Sequence, residues 1–171
     1  LSSLTIRSLH VGFLLLLTFL IFPACKSGKL TSVAWYDWLL AATGFCLSFY
    51  HWVFEADLIM RSGDPSSTDL VVGAIMIVLV FDAIRRMLGW ALPIVCGSFL
   101  VYGLFGQYLP APLGHRGYGF DQIVSQLYLG TEGILGIPIM VSATYIFLFI
   151  LFGAFLEHAG MIKLFNAVAL G

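Results

Sequence analysis

Four apolar runs of near bilayer-crossing length constrain this chain more than any other feature. A helix needs about 20 apolar residues to cross the hydrocarbon core, with roughly 17 to 25 tolerated. Leu9 to Ala24, marginal in length, Val33 to Phe54, Met87 to Phe105 and Ile137 to Leu156 meet that standard. The only clearly polar members of the last run are Ser142 and Thr144. A fifth run, Leu70 to Phe81, rises only about 18 Å at 1.5 Å per residue. It becomes long enough if the helix runs on to Arg86, with Arg85 and Arg86 snorkelling to the headgroups. The expectation is an all-α integral membrane protein with about five transmembrane helices.

Composition agrees, and it narrows the function classes. The chain is 60% hydrophobic and only 10% charged, with mean hydropathy +1.00, outside the range of a water-soluble core of this size. A net charge of -1, with Lys and Arg occurring singly or in pairs, excludes a nucleic-acid surface. Cys25, Cys46 and Cys96 are odd in number and far apart, so neither a disulfide framework nor a metal site is indicated, and they read as small packing residues. Leu1 in place of Met, and an apolar stretch ending at Gly171, point to a longer polypeptide. The run from Leu9 resembles a signal-peptide core, but the lysines and further spans after it favour a retained anchor.

Trp35, Trp38, Trp52 and Trp90 fall near span ends, where indole rings favour the water-lipid interface. Alternating spans put Lys26, Lys29, Arg85, Arg86 and Lys163 on one face, which is expected to be cytoplasmic. Arg7 and the loops "EADLIMRSGDPSSTD" and "GQYLPAPLGHRGYG" fall on the other. Between the second loop and the last span, Phe120, Ile123, Val124, Leu127 and Tyr128 recur at helical spacing. An amphipathic helix of about three turns is predicted there, lying on the membrane surface or against neighbouring spans.

Few residues carry candidate chemistry. "GTEGILGIPIM" (130–140) has GxxGxxG spacing with no preceding strand and no following Lys-Ser/Thr, so neither nucleotide fingerprint fits. Two readings of it stay open. In one, the glycines turn the chain into a membrane helix that Pro138 starts; in the other, Glu132, Gly133 and Gly136 form a flexible joint between a fixed and a moving part. In "FDAIRRMLGWALP", helical spacing puts Asp82 within reach of Arg85 or Arg86. That is a membrane-edge charge cluster, or a lipid or inter-domain contact. Pro93 is a candidate kink. Asp37 reads as a snorkelling acid near a span end, with a buried proton relay as the alternative. His10 and His51 fall at similar depth in antiparallel spans, the minimum geometry for haem ligation, although nothing marks them as ligands. His115 and His158 pair with no Cys or carboxylate at metal-ligand spacing, and no catalytic motif is present.

From Asp82 to Gly160, and especially in "HRGY", "LYLGTEGILGIPIMVSAT" and "FLFILFGAFLEHAG", the chain resembles the fused permeases of tripartite ATP-independent periplasmic (TRAP) transporters, TAXI branch. "RSGDPSSTD" and "WYDWLLAA" fit the same family more loosely. Where the family usually has Leu-Glu-Ala-Thr-Arg-Arg this chain has "FDAIRR", departing at Phe81 and Ile84. The resemblance implies a bacterial inner-membrane permease importing organic solutes with sodium and receiving them from an extracytoplasmic solute-binding protein. It implies a small domain over 1–105, a loop and surface arm over 106–131, and the start of a larger elevator-type domain over 132–171. The sodium and substrate segments would follow Gly171, so the resemblance assigns no catalytic, cofactor or metal residue here. Asp82, Arg85, Arg86, Glu132, Gly133, Gly136 and Pro138 remain candidate hinge or inter-domain positions. The membrane partners implied are lipid and the rest of the permease. Alternatives are the membrane anchor of a redox enzyme and a structural assembly protein.

Overall fold

The computed structural model describes residues 2–24, 34–61, 63–110, 112–161 and 167–169. Helices α1 (Ser3–Ile21), α2 (Trp35–Ser48), α3 (Tyr50–Val53), α4 (Glu55–Met60), α5 (Ser67–Leu88) and α6 (Ala91–Phe105) are followed by a 3-10 turn at Gly106–Tyr108. Helix α7 (Phe120–Val124) continues into a π-helical turn, Ser125–Leu129, and α8 (Ile137–Val141) joins α9 (Phe147–His158) through another, Ser142–Ile146. Among the described residues there is no strand. This is an all-α membrane protein. Among the described residues four stretches are long and apolar enough to cross a bilayer: Ser3–Ile21, Ser67–Leu88, Ala91–Tyr108 and Ile137–His158.

Local chemistry sets the helix boundaries. Ser2 caps α1 by accepting the Thr5 N–H. Ser66 and Asp69 form a reciprocal capping box at the start of α5, with Ser66 N–H donating to Asp69 Oδ2 at 2.8 Å and Asp69 N–H to Ser66 Oγ at 3.3 Å. From there α5 runs 22 residues, through Arg86, as the extended reading of the short third run requires. It stops at Gly89, whose φ of 83° lies in the left-handed region.

Three expectations change here. Met87 and Leu88 belong to α5, so the next span begins at Ala91 instead of Met87. Pro93 consequently sits in the first turn of α6, where the N–H groups lack intrahelical partners anyway; Ile94 makes the first bond, to the Trp90 carbonyl at 3.1 Å, so Pro93 has no helix interior to kink. Within the expected span Val33 to Phe54, α2 and α3 are two helices that meet at Phe49 instead of one uninterrupted helix. Ser8 Oγ of α1 donates to the Ser48 carbonyl at 2.8 Å, and the Trp52 N–H, which a regular helix would aim at that carbonyl, bonds Phe49 instead at 3.0 Å.

Helix α1 lies against α2, α5 and α8, burying Thr5, Ser8, Val11, Gly12, Leu15, Thr18 and Phe19 at helical spacing. Its seam with α2 depends on small residues. A Cβ on Gly12 would lie 2.2 Å from Ser48 Oγ and 2.4 Å from Ser48 Cβ. Gly12→Ala is therefore expected to lower the thermal unfolding midpoint, with an overpacking cost of about 1–3 kcal/mol. Adding Ser48→Gly should restore most of the loss; a Gly12→Ala single variant with an unchanged midpoint would count against this seam.

The predicted amphipathic segment packs across α5, burying Val124 and Tyr128. Gly73 of α5 makes room for it, since a Cβ there would come within 2.5 Å of Val124 Cγ1. The tryptophans are exposed at helix ends, as expected. Cys46 and Cys96 are exposed instead of packed inside, because Cys46 lies off the Ala41, Gly44 and Ser48 face of α2 and α6 buries none of its residues; Cys25 lies outside the described residues.

Candidate functional site

The stretch after the surface arm folds into a compact turn. Ile134 N–H donates to the Leu127 carbonyl at 2.7 Å, Gly136 N–H to Gly133 at 3.0 Å, and Met140 N–H to Gly136 at 3.1 Å. Neither Gly133 nor Gly136 has positive φ. Close approach explains them instead: a Cβ on Gly133 would lie 2.4 Å from both Cα and O of Leu127, and one on Gly136 would lie 2.9 Å from the Gly133 carbonyl. Pro138 stands in the first turn of α8, where it costs no hydrogen bond. Thr131 and Glu132 are exposed, and Glu132 makes no ion pair among the described residues.

The turn is anchored by Arg7, which the sequence marked only as a basic residue on one face. Leu135 is fully buried, and its carbonyl accepts a 2.8 Å hydrogen bond from Arg7 Nη1. Arg7 Nη2 meets Met140 Sδ at 3.1 Å and Nε donates to Ser3 Oγ at 3.2 Å. Alongside, His10 Nε2 pairs with Ser142 Oγ at 3.0 Å, at the π-helical turn between α8 and α9. Helix α1 thus holds both the end of the glycine turn and the helix that follows it.

At the opposite end of α1, four charges converge. Asp82 accepts from Arg85 Nη2 at 2.6 Å and from Arg86 Nε at 2.7 Å, so the expected helical pairing forms with both arginines at once. Arg86 Nη1 also donates to Asp37 Oδ1 at 2.6 Å and to the Phe22 carbonyl at 3.2 Å. Two sequence expectations are corrected here. Asp37 does not snorkel, because its side chain is 0% exposed, and Arg86 at 5% does not reach for headgroups. The reason is mutual neutralisation, completed by the Ala24 N–H on Asp37 Oδ2 at 3.3 Å and by the Phe19 ring 4.7 Å beneath the guanidinium. Arg85 stays part-exposed, stacked 5.1 Å over Trp90.

This cluster puts the end of α1, the start of α2 and the end of α5 together, as the expected alternation of spans requires. Lys26, Lys29 and Lys163, which shared in that expectation, lie outside the described residues. At the other end Thr5 Oγ1 donates to Glu55 Oε2 at 3.2 Å, and the Tyr50 hydroxyl donates to buried Asp69.

The two histidines considered as haem ligands have different neighbours: His10 faces Ser142, while His51 packs edge-on against Tyr128, ring centroids 4.8 Å apart. Burial pushes the Tyr128 phenol up to about 12, against a smaller opposing effect of the Ser8 hydroxyl, so it stays neutral at working pH. His115 staples the Gly/Pro-rich loop to α6 through the Tyr102 carbonyl at 3.2 Å, and His158 bonds the Ala154 carbonyl at 2.8 Å. No group of three or more metal-ligating side chains occurs among the described residues.

Comparison with known proteins places most of this architecture. Residues 75–171, from within α5 to the end of the chain, match the family described as tripartite ATP-independent periplasmic transporter, DctM component. No curated protein and no solved structure matches the chain.

Proposed function

From the premise that this chain belongs to the DctM component family of tripartite ATP-independent periplasmic transporters, we propose that it helps form a sodium-coupled permease of the TAXI branch. It is a membrane permease component of that transporter family, with an extracytoplasmic solute-binding protein as the partner the family implies. The proposed setting is the bacterial inner membrane, crossed several times, with the Arg85 and Arg86 end cytoplasmic. Organic solutes handed over by the binding protein would move inward with sodium, whose site we expect on other parts of the permease.

One observation carries the domain reading: the matched region contains the glycine turn, and Arg7 reaches it from outside that region. We assign 1–105 to a small domain, 106–131 to a loop and arm, and 132–171 to the start of a larger permease domain. On this reading the turn at Gly133, Gly136 and Pro138 joins the two, with Asp82, Arg85 and Arg86 bracing the small domain. Alternating access then needs a rigid part for the moving part to work against.

The test is solute uptake into proteoliposomes holding the complete permease, with its binding protein outside. Uptake is expected only when an inward sodium gradient and the loaded binding protein are both present. Equal uptake under a potassium gradient would remove the coupling proposal, and uptake of free solute without the binding protein would remove the partner.

A further inference from the structure

A groove of about 440 Å³ runs between α1 and the α8–α9 helix, lined by Ser3, Ile6, Arg7, Met140, Thr144 and Leu148 among others. Its walls are mostly apolar, and they hold a single charged side chain. Arg7, only 8% exposed, contributes a guanidinium that has no carboxylate partner among the described residues. An arginine side chain stays charged and carries five N–H donors. Three of its nitrogens meet Ser3 Oγ, the Leu135 carbonyl and Met140 Sδ, all neutral acceptors. An uncompensated cation in an apolar wall is costly unless an anion completes it.

Depth and shape identify that anion. Arg7 lies two residues ahead of the apolar run that begins at Leu9, about 3 Å at 1.5 Å per residue, which is headgroup level when that run crosses the hydrocarbon core. From there the groove runs inward to Leu148, which is 59% exposed and suited to an acyl chain. A ligand with a phosphodiester at one end and hydrocarbon at the other satisfies both parts.

We propose that this groove is a binding site for one membrane phospholipid, its phosphodiester on Arg7 and an acyl chain against Leu148. The Leu135 carbonyl and the lipid phosphate then share one guanidinium, so the lipid steadies the arginine that anchors the glycine turn. The proposal does not depend on sodium coupling or on the solute.

The test is native mass spectrometry of the complete permease, delipidated in detergent and titrated with phosphatidylglycerol. One tightly held lipid per copy is expected for the wild type. Ala143 also lines the groove, so Ala143→Phe, which narrows it and leaves the arginine in place, should weaken retention at least tenfold, and Arg7→Gln should do the same if that variant folds. Dioleoylglycerol, which lacks the phosphate, should not occupy the site, and millimolar inorganic phosphate should not displace the lipid. Equal retention by Ala143→Phe, or diacylglycerol binding as tightly, would overturn the assignment. Displacement by free phosphate would overturn the lipid as the source of the anion, and failure to bind because another segment of the permease fills the groove would overturn it outright.

Discussion

Replacing Gly133 with Val in the complete permease is expected to cut solute uptake roughly tenfold or more while leaving membrane insertion intact, a loss of the kind caused by overpacking at a backbone contact. A Cβ at this position would meet Cα and O of Leu127 at 2.4 Å and the Gln126 carbonyl at 2.6 Å. These are backbone atoms, so no rotamer change relieves the clash. The turn must lift off the end of the surface arm, which breaks the 2.7 Å bond from Ile134 to Leu127 and shifts Leu135, whose carbonyl holds Arg7. Gly136→Val should act in the same direction, since its Cβ would lie 2.9 Å from the Gly133 carbonyl. Gly153→Ala is the control, because a Cβ there meets nothing within 4 Å. Uptake normalised to the amount of permease in the membrane separates transport from assembly. Wild-type uptake by Gly133→Val would mean that this close approach has no part in transport.

Replacing Arg86 with Met should have the largest effect on stability. It strands Asp37, fully buried, with only the Ala24 N–H for company. Removing one partner of a buried pair typically costs about 3–5 kcal/mol. Asp37→Asn should be milder, because Arg86 keeps Asp82 at 2.7 Å and the Phe22 carbonyl at 3.2 Å. A second change, Asp37→Leu, in the Arg86→Met background should recover much of the loss by removing the orphaned charge. Arg86→Lys is expected to recover little, since a point charge cannot span two carboxylates as a planar fork does. Thermal unfolding of the four variants in detergent checks the order. A double variant no more stable than Arg86→Met would show that the pair does not act as a unit.

Much of this was legible from local patterns. Apolar lengths marked the membrane helices, including the reach of α5 to Arg86, and Pro138 marked the start of α8, because spanning length and a missing N–H are properties of a short stretch of chain. The spacing of Asp82, Arg85 and Arg86 likewise predicted their contact. Gly89 was the overlooked local signal: read as a helix terminator, it would have moved the next span past Met87 and Leu88 and put Pro93 in a harmless first turn.

The break at Phe49 had no such signal, because its cause, the Ser8 hydroxyl, sits on another helix. The same holds for the site. Asp37 and Arg86 are 49 residues apart, and Arg7 and Leu135 are 128 apart. By itself the sequence determined that this chain is a set of membrane helices with particular ends, since each end obeys the chemistry of its neighbours along the chain. Only the tertiary structure decided that Asp37 is buried, that Arg7 holds the glycine turn, and that Gly133 is needed for contact and not for a special φ. The physical reason is that burial and pairing depend on which helix faces supply the missing partner, and that choice is made across the bundle.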